Sequence, residues 1–214
     1  GFNSWIGPVS WAGVMAIMGI FAAGGGLALW LGYRKPARAP TTDRPLGTAQ
    51  KFLLVILAAW MLLHIFFAAV AVFNQPVYPW DAWLAWVYRG KAWFLSGGIR
   101  DVVSPAAWAA ATSPDVYTIN AASYPRFASV VPYWAALSLG RWSETLVNVP
   151  ALLAGLAIGL ALYGQCRESG MNRLWAVAAC YLLFSIPLFV THIALAGYAD
   201  LWMAGIAGLG FVAL

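Results

Sequence analysis

PWDAWLAWVYRGKAWFL, residues 79–95, is the stretch on which our interpretation of the chain depends. Trp80, Trp83, Val87 and Phe94 recur there at three-, four- and seven-residue steps, which is the spacing of one face of a helix. Tryptophan suits the boundary between membrane and water, because it has an apolar body and a polar tip. The stretch is too polar to cross a bilayer, so it predicts an amphipathic helix lying flat in a membrane interface.

Three charged residues lie within the same stretch. Asp81 falls in the first turn of the predicted helix, and Arg89 and Lys91 follow two to three turns later. A carboxylate held at a membrane surface, with cations close behind it, is a candidate site for chemistry on a charged lipid headgroup. The alternatives are that Asp81 only caps the helix and that the two cations only extend to lipid phosphates.

The composition of the chain predicts a membrane protein. Of its 214 residues, 63% are hydrophobic and 9% are charged, whereas a soluble domain carries about 25% charged residues. The apolar residues form long unbroken runs and not the alternation of a membrane β-barrel. We therefore expect an all-α fold, a multi-pass transmembrane helical bundle with interfacial amphipathic helices in a long external loop. The net charge of +5 indicates membrane orientation and not nucleic-acid binding.

The apolar runs define the predicted transmembrane helices. They cover residues 11–33, 52–73, 145–163, 174–193 and 201–214. The last run is shorter than the about 20 residues that a span needs. We therefore expect the C-terminal end to be incomplete, with the protein continuing beyond Leu214.

Two short basic loops predict the orientation of the chain. Residues 34–51 carry five basic residues against one acidic residue, and residues 165–173 are also net positive. Because positive loops stay in the cytoplasm, we expect the loop at residues 74–143 to be external. The chain then divides into an extra transmembrane helix with a basic cytoplasmic loop, residues 1–51, and a second membrane region, residues 52–214.

This topology brings two acidic residues to one side of the membrane. Asp81 and Asp200 are both predicted at the external face, at the edges of apolar runs. Charges at membrane depth are usually functional, although Asp200 can also simply end a span. His192, eight residues before Asp200, either assists it or marks a structural boundary. For His64, inside the second run, we expect a packing hydrogen bond.

The long external loop has its own internal pattern. Glycine and Ser-Pro pairs predict an irregular loop over residues 96–123, and residues 132–139 form a second amphipathic stretch. Loops longer than about 15 residues without regular structure are usually functional. The functional residues are therefore expected in this loop.

Three stretches of the chain, taken in order, resemble a known enzyme family. They are WDAWLAWVYRGKAW at residues 80–93, YPRF at residues 124–127 and ALAGYADL at residues 194–201. Their order, each beside an apolar run, resembles the GT-C glycosyltransferases that use polyprenyl-phosphate sugar donors. Protein O-mannosyltransferases and the aminoarabinose transferases of lipid A belong to that superfamily. The resemblance frames roughly residues 52–214.

The resemblance implies a reaction and a set of site residues. A sugar would move from a polyprenyl-phosphate donor to an acceptor hydroxyl, at the external (periplasmic) face of a bacterial inner membrane. The partners would be the lipid-linked sugar and membrane lipid, with no nucleic acid. Asp81 and Asp200 would be catalytic, and with His192 they would hold a divalent metal, Mg or Mn. The donor and its phosphate would be bound by four residues: Arg89, Lys91, Tyr124 and Arg126.

Two other classes of function remain open from the sequence. The chain is alternatively a non-catalytic accessory or scaffolding subunit of a larger membrane complex, whose aromatic residues and glycines pack against other membrane subunits. A transporter is the third option, but its polar sites usually lie near the membrane midplane. The enzyme is favoured if Asp81 and Asp200 face one external cavity together with Arg126.

Overall fold

A computed structural model of the chain describes residues 45–77, 79–100, 102–113, 116–119, 122–194 and 197–213. The predicted span at residues 11–33 and most of the basic loop after it lie outside these residues. The described part is mostly helical. Its helices are α1 (Thr48–Asn74), α2 (Val87–Leu95), α3 (Pro105–Ala109), α4 (Phe127–Leu139), α5 (Val149–Glu168), α6 (Arg173–Ser185), α7 (Pro187–Ala194) and α8 (Asp200–Ala213).

Two helical stretches in the described residues are long and apolar enough to cross a membrane. They are Thr48–Asn74 and Leu146–Glu168, in which the 3₁₀ turn Leu146–Asn148 leads directly into α5. Both overlap the runs predicted from hydropathy at residues 52–73 and 145–163. At about 1.5 Å per residue, α1 is about 40 Å long. The chain therefore has the helices that a membrane protein requires.

The run at residues 174–193 is not the single continuous helix that we predicted. It forms α6 and α7, which are bent by 67° relative to each other. Ile186 lies between them in an extended conformation, with φ −73° and ψ 114°, and Pro187 follows. Proline has no N–H and disfavours helical geometry in the residue before it, so the helix breaks here. The described residues therefore contain two candidate spans, or three if the bent pair crosses as one.

The core between the long helices is built on small residues. α1 packs against α6 and α7, and α5 packs against α6 and α8. Gly155 of α5 lies directly against Ile193, and a Cβ at Gly159 would lie 2.6 Å from the Phe184 ring. The two glycines therefore allow the helices to pack closely. The buried core consists of Ala68, Val72, Ala151, Leu152, Phe184, Ile193 and Leu201.

The segment between α1 and α5 contains more regular structure than we predicted. Residues 96–123, expected as an irregular loop, include the short helix α3 and two parallel two-residue strands, Val102–Val103 and Tyr117–Thr118. The second amphipathic stretch was predicted to begin at residue 132, but its helix, α4, begins at Phe127. Pro132 therefore lies inside the helix and does not start it. α4 packs against α2, so the predicted interfacial helix has a partner.

Candidate functional site

The predicted helix at residues 79–95 forms, but its first turns are wide. Helical structure starts at Trp80, runs as a π-helical turn through Ala82–Trp86 and continues as α2. The N–H of Trp83 donates to the Pro79 carbonyl at 2.8 Å, which closes the first turn. π-helical turns often occur at functional sites. Asp81 stands directly before this one.

The stripe predicted for this helix is divided between exposed and buried residues. Trp80 and Trp83 are 71% and 57% exposed, whereas Val87, predicted on the same stripe, is 4% exposed. A π-helical turn takes up an extra residue, so the 3.6-residue period does not hold through it. The buried residues are Ala82, Ala85, Trp86, Val87, Arg89, Gly90, Ala92 and Trp93.

The Asp81 side chain is exposed and makes no capping hydrogen bond to the helix. Of the structural alternative for this residue, the capping hydrogen bond is absent, and only the favourable position of its charge near the helix N-terminus is left. The carboxylate is open to a ligand at the start of the π-helical turn.

The turn before Asp200 packs against the start of the same helix. Gly197 has φ +108°, and a Cβ there would lie 2.7 Å from both Ala82 Cβ and Val87 Cγ2. Two residues later, Ala199 packs against the cluster formed by Ala85, Trp86 and Ala128. Asp81 and Asp200 therefore stand on segments in direct contact, although 119 positions separate them in sequence.

His192 lies beside Asp200 at the end of α7. Its Nε2 is 3.8 Å from Asp200 Oδ2, and its Nδ1 lies 2.7 Å from the Leu188 carbonyl. Because the carbonyl oxygen can only accept, Nδ1 carries the proton in that bond and Nε2 is directed towards the carboxylate. The Asp200 side chain is 71% exposed, so the pair opens to the surface.

The residues predicted to hold a metal do not converge into a three-ligand group. Within the described part of the chain, no three His, Cys, Asp or Glu side chains lie close enough together to hold an ion. Asp200 and His192 are neighbours, and Asp81 is contributed by the adjoining segment. Mg²⁺ is commonly held by one or two carboxylates together with substrate phosphate, so a site with fewer protein ligands stays a prediction.

Arg89, predicted to bind phosphate, has a different environment. It is 1% exposed, and its guanidinium donates to the main-chain carbonyls of Tyr124, at 2.9 Å, and Ala122, at 3.3 Å. Burial lowers the pKa of Arg89, and the positive charge of Arg126 lowers it further. Arginine keeps its charge in proteins, so Arg89 serves as a buried cationic tether for the loop before α4.

Tyr124 and Arg126 lie at the surface of that tethered loop. The Tyr124 ring stacks at 4.9 Å on Trp86, while the residue stays 44% exposed. Arg126 is exposed immediately before α4. Phe127 then contacts Trp202 of α8 with ring centroids 6.4 Å apart. The Tyr-Pro loop therefore adjoins both the Asp81 helix and the helix that begins at Asp200.

Lys91, the remaining predicted phosphate ligand, forms an ion pair with Glu144. The pair lines a cleft of about 360 Å³, which also involves the exposed Trp83 and Tyr88. Glu144 and Tyr117 could not be singled out from the sequence, because they lie far from Lys91 along the chain. The cleft is lined by Val77, Trp83, Val87, Tyr88, Lys91, Ala92, Leu95, Tyr117 and Glu144.

Comparisons with known proteins identify no relative. No family model, no curated protein and no solved structure matches the chain. The functional conclusion therefore depends on the residues and their geometry.

Proposed function

We propose that the chain is the membrane part of a GT-C-type glycosyltransferase, moving a sugar from a polyprenyl-phosphate donor to an acceptor hydroxyl. Its main support is the meeting of three segments that are distant in sequence. The helix after Asp81 contacts both of the other segments. It meets the turn before Asp200 at Gly197 and Ala199, and it meets the loop at residues 124–127 through the rings of Trp86 and Tyr124. These are the same three stretches that resemble the family.

The reaction needs a base and a cation. Asp81 takes the proton of the acceptor hydroxyl while the hydroxyl oxygen attacks the anomeric carbon of the sugar. The bond from that carbon to the donor phosphate breaks, and the polyprenyl phosphate leaves with the electron pair. Arg126 stabilises the departing phosphate. Asp200, paired with His192, positions the acceptor. A divalent ion would be held by Asp81 and Asp200, and it would supply positive charge for the departing phosphate.

A membrane location suits this chemistry. A polyprenyl donor stays in the lipid, so its phosphate lies at the membrane surface. Trp80 and Trp83 are exposed beside Asp81, and tryptophan is enriched at that depth. We place the protein in a bacterial cytoplasmic membrane with the Asp81 face towards the periplasm.

An accessory subunit is the second candidate, and one observation favours it. In the most apolar 18-residue part of α1, only 6% of the residues are buried. Large side chains such as Trp60 and Phe66 are exposed along this helix. Such a face packs against lipid in an enzyme or against a partner helix in a complex. The two candidates differ in whether Asp81 is needed for sugar transfer.

Replacing Asp81 tests the enzyme directly. Asp81→Asn keeps the size of the side chain and removes the basic oxygen, so sugar transfer should fall by about 10²- to 10⁴-fold. Transfer from a polyprenyl-phosphate sugar is measured with membranes carrying the complete protein, compared at equal expression. Glu168→Gln is the matched control, because this exposed acid ends α5 on the predicted cytoplasmic side. Near-normal transfer by Asp81→Asn would remove Asp81 from the chemistry and favour the accessory subunit.

A further inference from the structure

The cleft beside α2 is not used by the proposed transfer reaction. Its volume of about 360 Å³ falls in the range of about 300–1,000 Å³ that small-molecule sites occupy. The helix at residues 79–95 contributes Trp83, Tyr88 and Lys91 to the lining, and Tyr117 and Glu144 come from other segments. Aromatic rings and one charge of each sign therefore surround the space.

The cleft lies at the level where two candidate spans end. Val77 lines it three residues after the end of α1 at Asn74, and Glu144 lines it two residues before the stretch Leu146–Glu168. Helices that cross a bilayer end near the headgroups of the lipids. In a membrane the cleft would therefore open among lipid headgroups.

The two charges of the cleft neutralise each other but remain accessible. The Lys91 and Glu144 side chains are 41% and 42% exposed, and an ion pair this exposed contributes little to stability. A ligand that carries both a phosphate and an ammonium group can replace the pair without leaving either charge uncompensated. A purely anionic headgroup would satisfy Lys91 and be repelled by Glu144.

The aromatic residues favour the same ligand. An ammonium group is attracted to the faces of tryptophan and tyrosine, and recognition of choline uses such aromatic surroundings. Trp83 and Tyr88 are 57% and 42% exposed, so they are accessible from the membrane surface. Leu95, also in the lining, offers apolar contact for the start of a lipid chain.

We propose that this cleft binds the headgroup of a zwitterionic phospholipid, of the phosphoethanolamine or phosphocholine type. The phosphate lies at Lys91, and the ammonium lies at Glu144 among the rings of Trp83, Tyr88 and Tyr117. The bound lipid anchors the Asp81 helix at the membrane surface.

Lipid retention by the purified full chain tests the site. The protein in detergent is mixed with equal amounts of phosphatidylethanolamine and phosphatidylglycerol of matched acyl chains, and bound lipids are counted by native mass spectrometry. We expect preferential retention of phosphatidylethanolamine, and Lys91→Met should weaken it by about tenfold, since a charge-assisted hydrogen bond is lost. Arg141→Met, an exposed cation outside the cleft, should leave retention unchanged.

Two further variants keep the test decisive. Glu144→Gln should shift the preference towards phosphatidylglycerol, because it removes the repulsion of an anionic headgroup. Trp83→Leu should weaken retention of phosphatidylethanolamine and phosphatidylcholine, because it removes an aromatic face. Equal retention of phosphatidylglycerol and phosphatidylethanolamine by the unaltered protein would overturn the proposal. The proposal would also be overturned if Glu144→Gln and Trp83→Leu both kept the preference of the unaltered protein for phosphatidylethanolamine over phosphatidylglycerol. The sugar-transfer assay of Asp81→Asn is independent of all these outcomes.

Discussion

The guanidinium of Arg89 donates a hydrogen bond to the main-chain carbonyl of Tyr124 across 2.9 Å, from a side chain that is 1% exposed. A second bond from the same group reaches the Ala122 carbonyl. The forked guanidinium suits two carbonyls at once. Arg89 thus fixes the Tyr-Pro loop on the helix that follows Asp81, and the relative position of Asp81 and Arg126 depends on it.

Replacement of Arg89 by lysine should loosen that loop. A lysine ammonium lacks the planar fork, so one of the two hydrogen bonds to the loop carbonyls is lost, at a cost of about 1–3 kcal/mol. Thermal unfolding in detergent should shift down, by about 2–4 °C per kcal/mol for a chain of this size. Amide hydrogen exchange over residues 122–127 should become faster.

The matched control for Arg89 is Arg141→Lys, since Arg141 is exposed and outside the loop. It should change neither the unfolding temperature nor the exchange rates. Unaltered exchange over residues 122–127 in Arg89→Lys would show that the tether does not hold the loop.

Gly197 should be intolerant of any side chain. Its φ of +108° is unfavourable for other residues, and a Cβ would lie 2.7 Å from Ala82 Cβ and Val87 Cγ2. Gly197→Ala must therefore push the turn before Asp200 away from the Asp81 helix, at about 1–3 kcal/mol. We expect a lower unfolding temperature and reduced sugar transfer.

Gly208→Ala is the control for Gly197→Ala, because a Cβ at Gly208 would meet nothing within 4 Å. In the interior of α8, alanine favours the helix by about 1 kcal/mol over glycine, so this variant should be neutral or slightly more stable. Equal effects of the two substitutions would contradict the close approach at Gly197.

The parts of the fold that follow from hydropathy were predictable, and those that depend on distant contacts were not. α1 and the Leu146–Glu168 stretch follow from their apolar composition. The break at Pro187 was not predicted, because proline is tolerated in membrane helices when neighbours satisfy the freed carbonyls. Pro187 marks where the break falls, but sequence does not show whether a proline breaks a helix or is accommodated, as Pro132 is inside α4.

The candidate site shows the same division. The sequence singled out Asp81 and Asp200, and their segments do contact each other. It also singled out Arg89 as a phosphate ligand, but the carbonyls that bind Arg89 are contributed from 33 and 35 positions away. From sequence alone, a basic residue two helical turns after an acidic residue that binds a ligand cannot be distinguished from one that binds loop carbonyls. Only the folded chain separates the two roles.

The orientation of the chain is tested by labelling single cysteines. Arg38→Cys and Asp115→Cys are introduced singly into a protein in which Cys166 and Cys180 have been replaced by alanine. On intact cells, a membrane-impermeant maleimide should label position 115 and not position 38, because basic loops remain cytoplasmic. Position 38 should become reactive only after the membrane is permeabilised. Equal labelling of both positions on intact cells would contradict the topology.

Asp81 and Asp200 should act as one unit, because the Gly197 turn packs their segments together. Asp200→Asn alone should lower sugar transfer by about tenfold, the effect of losing about 1.4 kcal/mol of transition-state stabilisation. In Asp81→Asn, where the proposed base is already lost, the added Asp200→Asn should cost much less, because groups that work together couple by about 0.5–3 kcal/mol. The coupling is obtained from the transfer rates of the two single variants and the double variant.

Glu168→Gln combined with Asp81→Asn supplies the additive reference, because Glu168 ends α5 on the predicted cytoplasmic side. Full additivity between Asp81→Asn and Asp200→Asn would mean that the two carboxylates do not share a reacting centre, and Asp200 would then only begin α8.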